Sequence, residues 1–565
     1  MNYISMKTNK IIVVIFFLFL SFNTKAQTYG QNGMVVSANE VASKVGIEIL
    51  KKGGNAIDAS VATAFALAVT HPSAGNIGGG GFLVYKSAEG KATTIDFREK
   101  APLKASTDMF LDKNGKLIQD SNHLTIKSIG VPGTVAGLFL AHQKYGKLPW
   151  KEVVEPSVLL AKNGFEMPWG LYFDILALVN ENQSNAFIAN YFNNSNKEIT
   201  KPETIWKQPA LGKTLSLIRD QGQDGFYKGE VADEIEKFMK QNGGIITKED
   251  LAKYTAVERE AIKGTYKKFD IYSMPPPSSG GVALIEMMNI MELSNLDSVS
   301  FNSAQYVHLV AETMRRAFAD RAEYLGDPDF NLKMPLDKLT SKEFAKKRFE
   351  NIDMNKASVS DPAKFGHPYG GDNTTHFSVV DKDGNAVSVT YTLEFSYGSK
   401  MGSNQLGFIF NNEMGDFNPE PGVTTNTGQI GTLPNIIKPE KRMLSSMTPA
   451  IVTKDGKPYL IIGSPGGRTI INTVFQTVLN VLAYDMRIDK AIEAMKIHEQ
   501  WLPDTIYYEK DLMSPDTKVL LENMGHHLKE VNNLGSLMGI TYDEAFKVYI
   551  GYSDSSSPDG AAVGY

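Results

Sequence analysis

Residues 371–393, GDNTTHFSVVDKDGNAVSVTYTL, constrain this chain more than any other stretch. Two runs in it, 375–380 and 385–393, alternate apolar and polar side chains at period two, the signature of strands. Asp381-Lys382-Asp383-Gly384 lies between them, and an Asp-Gly step joining alternating runs is a strong hairpin signal because the turn needs positive φ. A long antiparallel pair has to bury a face, so the remaining chain must supply further layers. Just upstream, residues 361–372 are enriched in Gly, Pro and Asp and read as a loop that delivers Asn373-Thr374-Thr375 to the first strand. A cut before Thr374 would turn a strand-end hydroxyl residue into a new N-terminus at the edge of a sheet.

The 565 residues suffice for several domains or for one large unit with two halves. The start reads as a secretory signal over residues 1–26. Lys7 and Lys10 form a charged n-region, residues 11–22 (IIVVIFFLFLSF) an apolar h-region, and Thr24-Lys25-Ala26 a small-residue cleavage site before Gln27. Twelve apolar residues are too few to span a bilayer, which needs about 20. The expectation is an exported protein, periplasmic or extracellular, with no membrane attachment after signal removal. Loss of that leader, which carries three lysines and no acid, takes the net charge from −5 to −8. A mildly acidic body without a basic block argues against nucleic acid as a partner. The chain has no cysteine, which excludes disulfides, thiolate zinc sites and a Cys nucleophile. The nine histidines form no His-Glu-x-x-His pattern, and no metal or other cofactor is expected; His526-His527 reads as a solvated pair and His376 as structural.

Residues 39–52 have helical periodicity, and Gly53-Gly54 ends that helix. The Ala-rich run 56–70 reads as a buried helix. Gly78 to Gly81, followed by a strand at 82–85, suggests close backbone approach rather than a phosphate loop, since no Gly-Lys-Ser/Thr ending follows. Further strands are expected at 93–97, 407–410, 449–452 and 459–462. Residues 128–138 read as a glycine-punctuated turn into a helix that continues through Gln143, residues 273–290 as a Pro-, Ser- and Gly-rich run (275–281) leading into an apolar helix, and helices are expected at 148–161, 231–241, 304–325, 471–484 and 488–494. The pattern is α+β, suited to helices sandwiching antiparallel sheets.

A threonine at a cleaved N-terminus carries both a nucleophilic Oγ and, in its own α-amine, a general base with an unperturbed pKa of about 7.7–8.0. The run Thr374-Thr375-His376-Phe377-Ser378-Val379-Val380-Asp381 resembles the processing site of the γ-glutamyltranspeptidases. Asp96-Phe97-Arg98-Glu99, Asn411-Asn412-Glu413-Met414-Gly415-Asp416-Phe417, Leu444-Ser445-Ser446-Met447 and Gly463-Ser464-Pro465-Gly466-Gly467 extend the resemblance, in order, over nearly the whole mature chain.

The resemblance implies the N-terminal nucleophile (Ntn) hydrolase fold, an αββα sandwich. It implies autoprocessing between Asn373 and Thr374 into a large subunit (27–373) and a small one (374–565) that stay together as a heterodimer. It implies attack by Thr374 on the γ-amide of γ-glutamyl compounds such as glutathione, with the acyl-enzyme passed to water or to an amino acid or peptide amine. Thr392 then supports the nucleophile, and Thr375 hydrogen-bonds near the new amine. Gly466 and Gly467 match the oxyanion hole. Arg98, Ser445 and Ser446 match the groups that hold the substrate α-carboxylate, and Glu413 and Asp416 the acids that hold its α-ammonium. Glu394 stands where many bacterial relatives have asparagine and adds a third acid. Residues 421–442 are long enough for a lid loop, with Thr427 roughly where some relatives have a lid tyrosine. Other implied readings on the same scaffold are a glutaryl-cephalosporin acylase and a poly-γ-glutamate depolymerase.

Overall fold

The computed structural model describes residues 26–193, 198–361, 373–423, 425–429 and 431–565. The leader and most of the loop before Thr374 lie outside the described residues.

The expected hairpin forms the centre of the architecture. Asn373–Asp381 and Ala386–Glu394 pair antiparallel across a turn whose Gly384 has φ +88°. They occupy the middle of a seven-stranded sheet, with Gly33–Ser37 and Ala561–Gly564 on one side and Gly80–Lys86, Ala92–Phe97 and Val257–Glu260 on the other. A second seven-stranded sheet runs in the order Thr28–Gly30, Val548–Ser553, Met538–Asp543, Lys457–Gly463, Ala450–Lys454, Phe269–Ser273, Ile262–Tyr266.

The period-two pattern decides how the layers stack. Val35, Leu83, Phe377 and Val389 bury their side chains with helices Glu40–Lys51, Ala56–Thr70, Thr134–Tyr145 and Trp150–Asn163. Met34, Val36, Phe82, Val84 and Val380 join a separate core with Ile451, Ile462 and Ile540 of the second sheet and helices Gly280–Glu292, Ala304–Tyr324 and Thr469–Tyr484. The result is the expected αββα sandwich. All fifteen residues of Ala56–Thr70 are buried, and Asn55 and Asp58 close a reciprocal capping box at its start.

The glycine run serves the close approach read from the sequence. A Cβ on Gly79 would lie 2.0 Å from the Thr392 carbonyl oxygen. Asn76 ties the same place together, donating to Thr392 O (2.8 Å) and accepting from Gly79 N (2.9 Å). Gly79→Ala is therefore expected to destabilise the protein by about 3 kcal/mol, read as a lowered midpoint in thermal unfolding; an unchanged midpoint would refute this account.

Three expectations are corrected. Residues 407–411 form an irregular loop, in which Gly407 (φ +69°) packs directly on the Leu211 backbone. Most of the second sheet was not anticipated. Its strands Ile262–Tyr266 and Phe269–Ser273 are joined through Lys267 at φ +49°, and Met538–Asp543 and Val548–Ser553 through a loop with Lys547 at φ +55°, turns without the Gly or Asn that marks a hairpin. His526 is buried and hydrogen-bonded to His308 (2.7 Å), while His527 is exposed. Among the described residues no helix is long and apolar enough to cross a membrane.

Candidate active site

Thr374 sits at an irregularity in the ladder. Asn373 pairs with Glu394 and Thr375 with Tyr391, so the register slips at Thr374. Such a bulge re-aims a side chain at the end of a strand. The Thr374 hydroxyl lies 3.4 Å from the Thr392 hydroxyl, which accepts from Glu394 N at 2.8 Å. Thr374 and Thr392 line a small cavity together with Arg98, Glu394, Glu413, Asp416, Ser445, Ser446, Gly467 and Arg468.

Each of these side chains is placed by an element with its own reason for being there. Arg98 follows the Ala92–Phe97 strand, held by its N–H on Asp96 (3.0 Å) and its carbonyl under the Tyr254 hydroxyl (2.8 Å). Glu413 and Asp416 stand on one 3₁₀ turn, Glu413–Asp416. That turn is fixed by the Asn411 side chain, which accepts from Gly130 N (2.8 Å) and Glu413 N (3.0 Å) and donates to the carbonyls of Gly78 (2.8 Å) and Gly130 (2.9 Å). Ser445 and Ser446 are braced by the Pro-rich segment before helix Gly280–Glu292: Ser445 N donates to Pro277 O (2.9 Å) and Ser279 N to Ser445 O (2.8 Å). The fully buried guanidinium of Arg98 reaches Glu413 and Asp416 directly and lies 3.7 Å from Glu99. In this structure the cation and the acids meet, rather than standing apart as two poles.

Acids outnumber the cation. Burial pushes the Glu394 and Glu413 carboxyls well above the usual carboxylate range and Glu99 up to about 7; Arg98 pulls each of them back only in part. Glu394 Oε1 lies 2.9 Å from Nδ1 of His123, whose ring stacks on Phe395 and whose pKa burial lowers. These carboxyls hold protons more readily than free carboxylates, and a ligand ammonium beside them would favour their ionised form. The Gly466-Gly467 backbone has φ +129° and +56°, and among the described residues neither N–H donates a hydrogen bond within the fold. Two free N–H groups on adjacent glycines suit a developing oxyanion.

Not every site residue read from the sequence gathers here. Gly466 lines a neighbouring cavity that shares Arg468 with this one. Thr375 is buried on the strand side shared by Phe377 and Val379, and its hydroxyl has no partner among the described residues. Of Asn373 only the backbone is described. Thr427 lines a third cavity with His123 and Gln429, and its hydroxyl bonds Thr425 at 2.8 Å; residues 424 and 430 of the lid segment lie outside the described residues. His376 bridges the hydroxyls of Thr390 (2.8 Å) and Ser378 (3.0 Å), and burial lowers its pKa to about 3, so it stays neutral.

Sequence reasoning missed two arginines. Arg321, fully buried, donates to Ser279 Oγ (2.8 Å) and Ser446 Oγ (3.0 Å), and no carboxylate among the described residues pairs with it. It brings positive charge behind Ser446, and burial pulls its pKa down to about 10. Arg468 follows the two glycines. The one signal for Arg321 is an arginine on the apolar side of a helix, which the unusually complete burial of Ala304–Tyr324 explains only in three dimensions. Elsewhere on that helix, His308 and Glu312 lie within 4.8 Å of His526, but Glu312 is taken up by Arg315, Arg316 and Ser358.

The geometry of two facing sheets, outer helix layers and a strand-end threonine defines the class of N-terminal nucleophile hydrolases. The architecture matches the crystal structure of cephalosporin acylase from Bacillus halodurans over 96% of this chain and 97% of that one, with a TM-score of 0.83 at 24% identity, a likeness of fold. The chain is 45% identical over 542 residues to the glutathione hydrolase proenzyme of Escherichia coli K12, covering 95% of this chain and 92% of that protein. It also matches the structure of Helicobacter pylori gamma-glutamyltranspeptidase at 42% identity and a TM-score of 0.56, over 59% of this chain and 95% of that one. Residues 42–564 match the family model described as Gamma-glutamyltranspeptidase, and the chain belongs to that family.

Proposed function

We propose that this protein is an autoprocessed γ-glutamyltransferase and glutathione hydrolase. The observation that carries the reading is the strand-end Thr374 facing Thr392 in the same cavity as Arg98, Glu413, Asp416 and Gly467. In the precursor, Thr374 Oγ attacks the Asn373 carbonyl carbon, the peptide bond shifts to an ester, and water hydrolyses it. This leaves subunits 27–373 and 374–565, the second beginning with a free α-amine. In turnover that amine takes the Oγ proton as Oγ attacks the γ-carbonyl. The N–H groups of Gly466 and Gly467 receive the oxyanion. The leaving amine takes the proton back, and water or an amino acid or peptide amine resolves the ester.

The substrate's zwitterionic end exchanges into the existing ion pairs. Its carboxylate takes the acids' place at Arg98, beside Ser445 and Ser446, and its ammonium takes Arg98's place among Glu413, Asp416 and Glu394. This favours a γ-glutamyl substrate over a glutaryl one, whose chain has no ammonium and would leave three acids unpartnered. The leader reading, with export to the periplasm or outside, accompanies this function.

Mass spectrometry of the purified protein, together with release of glutamate from glutathione, tests the reading. It fails if the N-terminus of the smaller chain is not Thr374 or if glutathione is left intact. The pH dependence has a definite sign. Carboxyls with raised pKa values are protonated in acid, and a bound ammonium favours their ionised form. KM is expected to rise on acidification, as the raised Glu394 and Glu413 carboxyls take up protons and lose their attraction for the substrate ammonium, while kcat falls through about 8 as the α-amine gains a proton. A KM flat between about pH 6 and about pH 9 would contradict the assignment of the acids.

A further inference from the structure

We propose that His123 is a positioning residue for the α-ammonium pocket: it faces Glu394 and takes that carboxyl's proton when the ammonium of the substrate arrives. This rests on the γ-glutamyl-transfer reading and deepens it, naming how the third acid becomes charged in a buried place.

Three segments converge on the pair. Glu394 closes the strand Ala386–Glu394 at φ +80°, a backbone conformation uncommon outside glycine and one that functional sites retain at a cost. Its carboxyl lines the same cavity as Thr374, Glu413 and Asp416. His123 stands on the short helix Ser121–Leu124, and its ring stacks on Phe395 at 4.9 Å and 7°. Phe395 is itself held by its N–H on Asn412 Oδ1 (3.1 Å). Gly415, between Glu413 and Asp416 on the 3₁₀ turn, leaves the room: a Cβ there would lie 2.1 Å from His123 Nδ1 and 2.9 Å from Glu394 Oε1. Nδ1 and Oε1 stand 2.9 Å apart, within reach of a shared proton. Both side chains are buried, and among the described residues neither Glu394 oxygen nor His123 Nδ1 has a hydrogen-bond partner within the fold. The carboxyl therefore keeps one oxygen for the imidazole and one for an incoming donor.

A buried carboxylate without a cation is costly, so the carboxyl holds a proton until a cation comes. The charges around the pair set how that proton moves. Asp416 and Glu99 act on Glu394, with Arg98 and Arg468 opposing them, and Glu394 in turn acts on Glu413. Asp416 and Asp120 act on His123, with Arg468 opposing them. Burial keeps the imidazole neutral and the carboxyl protonated, so the pair carries one proton and no net charge. An ammonium beside Glu394 changes the balance. The proton leaves Glu394 Oε1 and joins His123 Nδ1, the carboxylate then stands between two cations, and Asp416 and Asp120 favour the new imidazolium. No proton is exchanged with water, and the step reverses when glutamate departs. Without an acceptor at residue 123, Glu394 must release its proton to water before it can hold the ammonium, and binding weakens about tenfold for each pH unit below its pKa.

The test measures KM for glutathione against pH in the mature wild-type protein and in His123→Phe, which keeps a ring to stack on Phe395 but accepts no proton. The ratio of the variant's KM to the wild-type KM is expected to grow by about tenfold or more between about pH 9 and about pH 7. Taking the ratio cancels the acid rise that Glu413 contributes to both proteins. In a Glu394→Gln background, which has no proton to move, the same substitution should give a ratio that does not change with pH. A constant ratio in the Glu394 protein means that His123 only packs the site and overturns the proposal, and so does a pH-dependent ratio in the Glu394→Gln background. The wild-type protein alone gives a second reading that needs no variant to fold. With nitrogen-15 in its nine histidines, NMR is expected to show one ring turning from neutral to imidazolium when L-glutamate binds at about pH 7.5. No newly charged histidine overturns the proposal. If the wild-type protein releases no glutamate from glutathione, the γ-glutamyl-transfer reading fails first and the role of His123 with it.

Discussion

Thr374→Ala is expected to leave one uncut polypeptide and to lower turnover of γ-glutamyl-p-nitroanilide by at least about 10⁴-fold. Both outcomes follow from one atom. On the proposed reading, processing needs Oγ to attack the preceding carbonyl, and catalysis needs the same Oγ together with the amine that processing exposes. Thr374→Ser keeps an Oγ and should still cut, more slowly, because the methyl group that packs the nucleophile in place is gone. Thr392→Ala is the informative neighbour. Its hydroxyl lies 3.4 Å from that of Thr374 and is engaged by Glu394 N, so the variant should cut and turn over at reduced rates rather than fail. A denaturing gel and the mass of the smaller chain read the first result; cleavage of the Ala variant at the same bond would reject Thr374 as nucleophile.

Arg98→Ala carries the second large effect, and it acts on binding and folding together. The guanidinium is fully buried against Glu413, Asp416 and Glu99. Removing it strands buried acids, a loss of about 3–5 kcal/mol for a broken buried pair. On the proposed reading the substrate carboxylate loses its partner at the same time, and kcat/KM should fall by about 10²–10³-fold. The folding part can be separated by pH. Burial already raises Glu413 and Glu99 in the folded state, and without the cation they rise further. A carboxyl whose folded pKa is raised favours the folded state below its unfolded pKa and loses that contribution as pH climbs through the folded value. The variant's stability deficit should therefore be smallest in mild acid and widen as pH climbs above about 7, the value for Glu99 with Arg98 in place. Thermal unfolding of both proteins across pH measures it, and a pH-independent deficit would mean that the acids are not what the cation holds. Arg98→Lys restores charge without the planar fork and should recover more stability than affinity.

The parts of this site legible in the sequence are those encoded locally. The alternation around the Asp-Gly turn gave the central hairpin, the alanine-rich run gave the helix behind it, and the glycine run gave the close approach to Thr392. Arg98, Glu413, Asp416, Ser445 and Ser446 were found because their motifs resemble a family's, not because spacing reveals a pocket assembled from segments more than 300 residues apart. What escaped had no local signature. Two hairpins of the second sheet turn at lysines with positive φ and carry no Gly or Asn, whereas its Ala450–Lys454/Lys457–Gly463 hairpin turns at Asp455-Gly456. Arg321 looks like one more charge on a long helix until the packing of Ser279 and Ser446 around it is seen. Thr375 was assigned to the new amine from adjacency alone, but period two sends its side chain to the helix side of the sheet.

The strand order has a consequence for the life of the protein after it is cut. In the central sheet, Gly33–Ser37 lies between Ala561–Gly564 and Asn373–Asp381, and Ala386–Glu394 joins Gly80–Lys86. A break before Thr374 would thus leave two polypeptides woven through one sheet. They could not part or trade partners without dismantling it, so each copy would keep for life the two pieces it was made from. Once unfolded, the pieces would have to find each other by diffusion, and recovery would depend on concentration where the first folding did not.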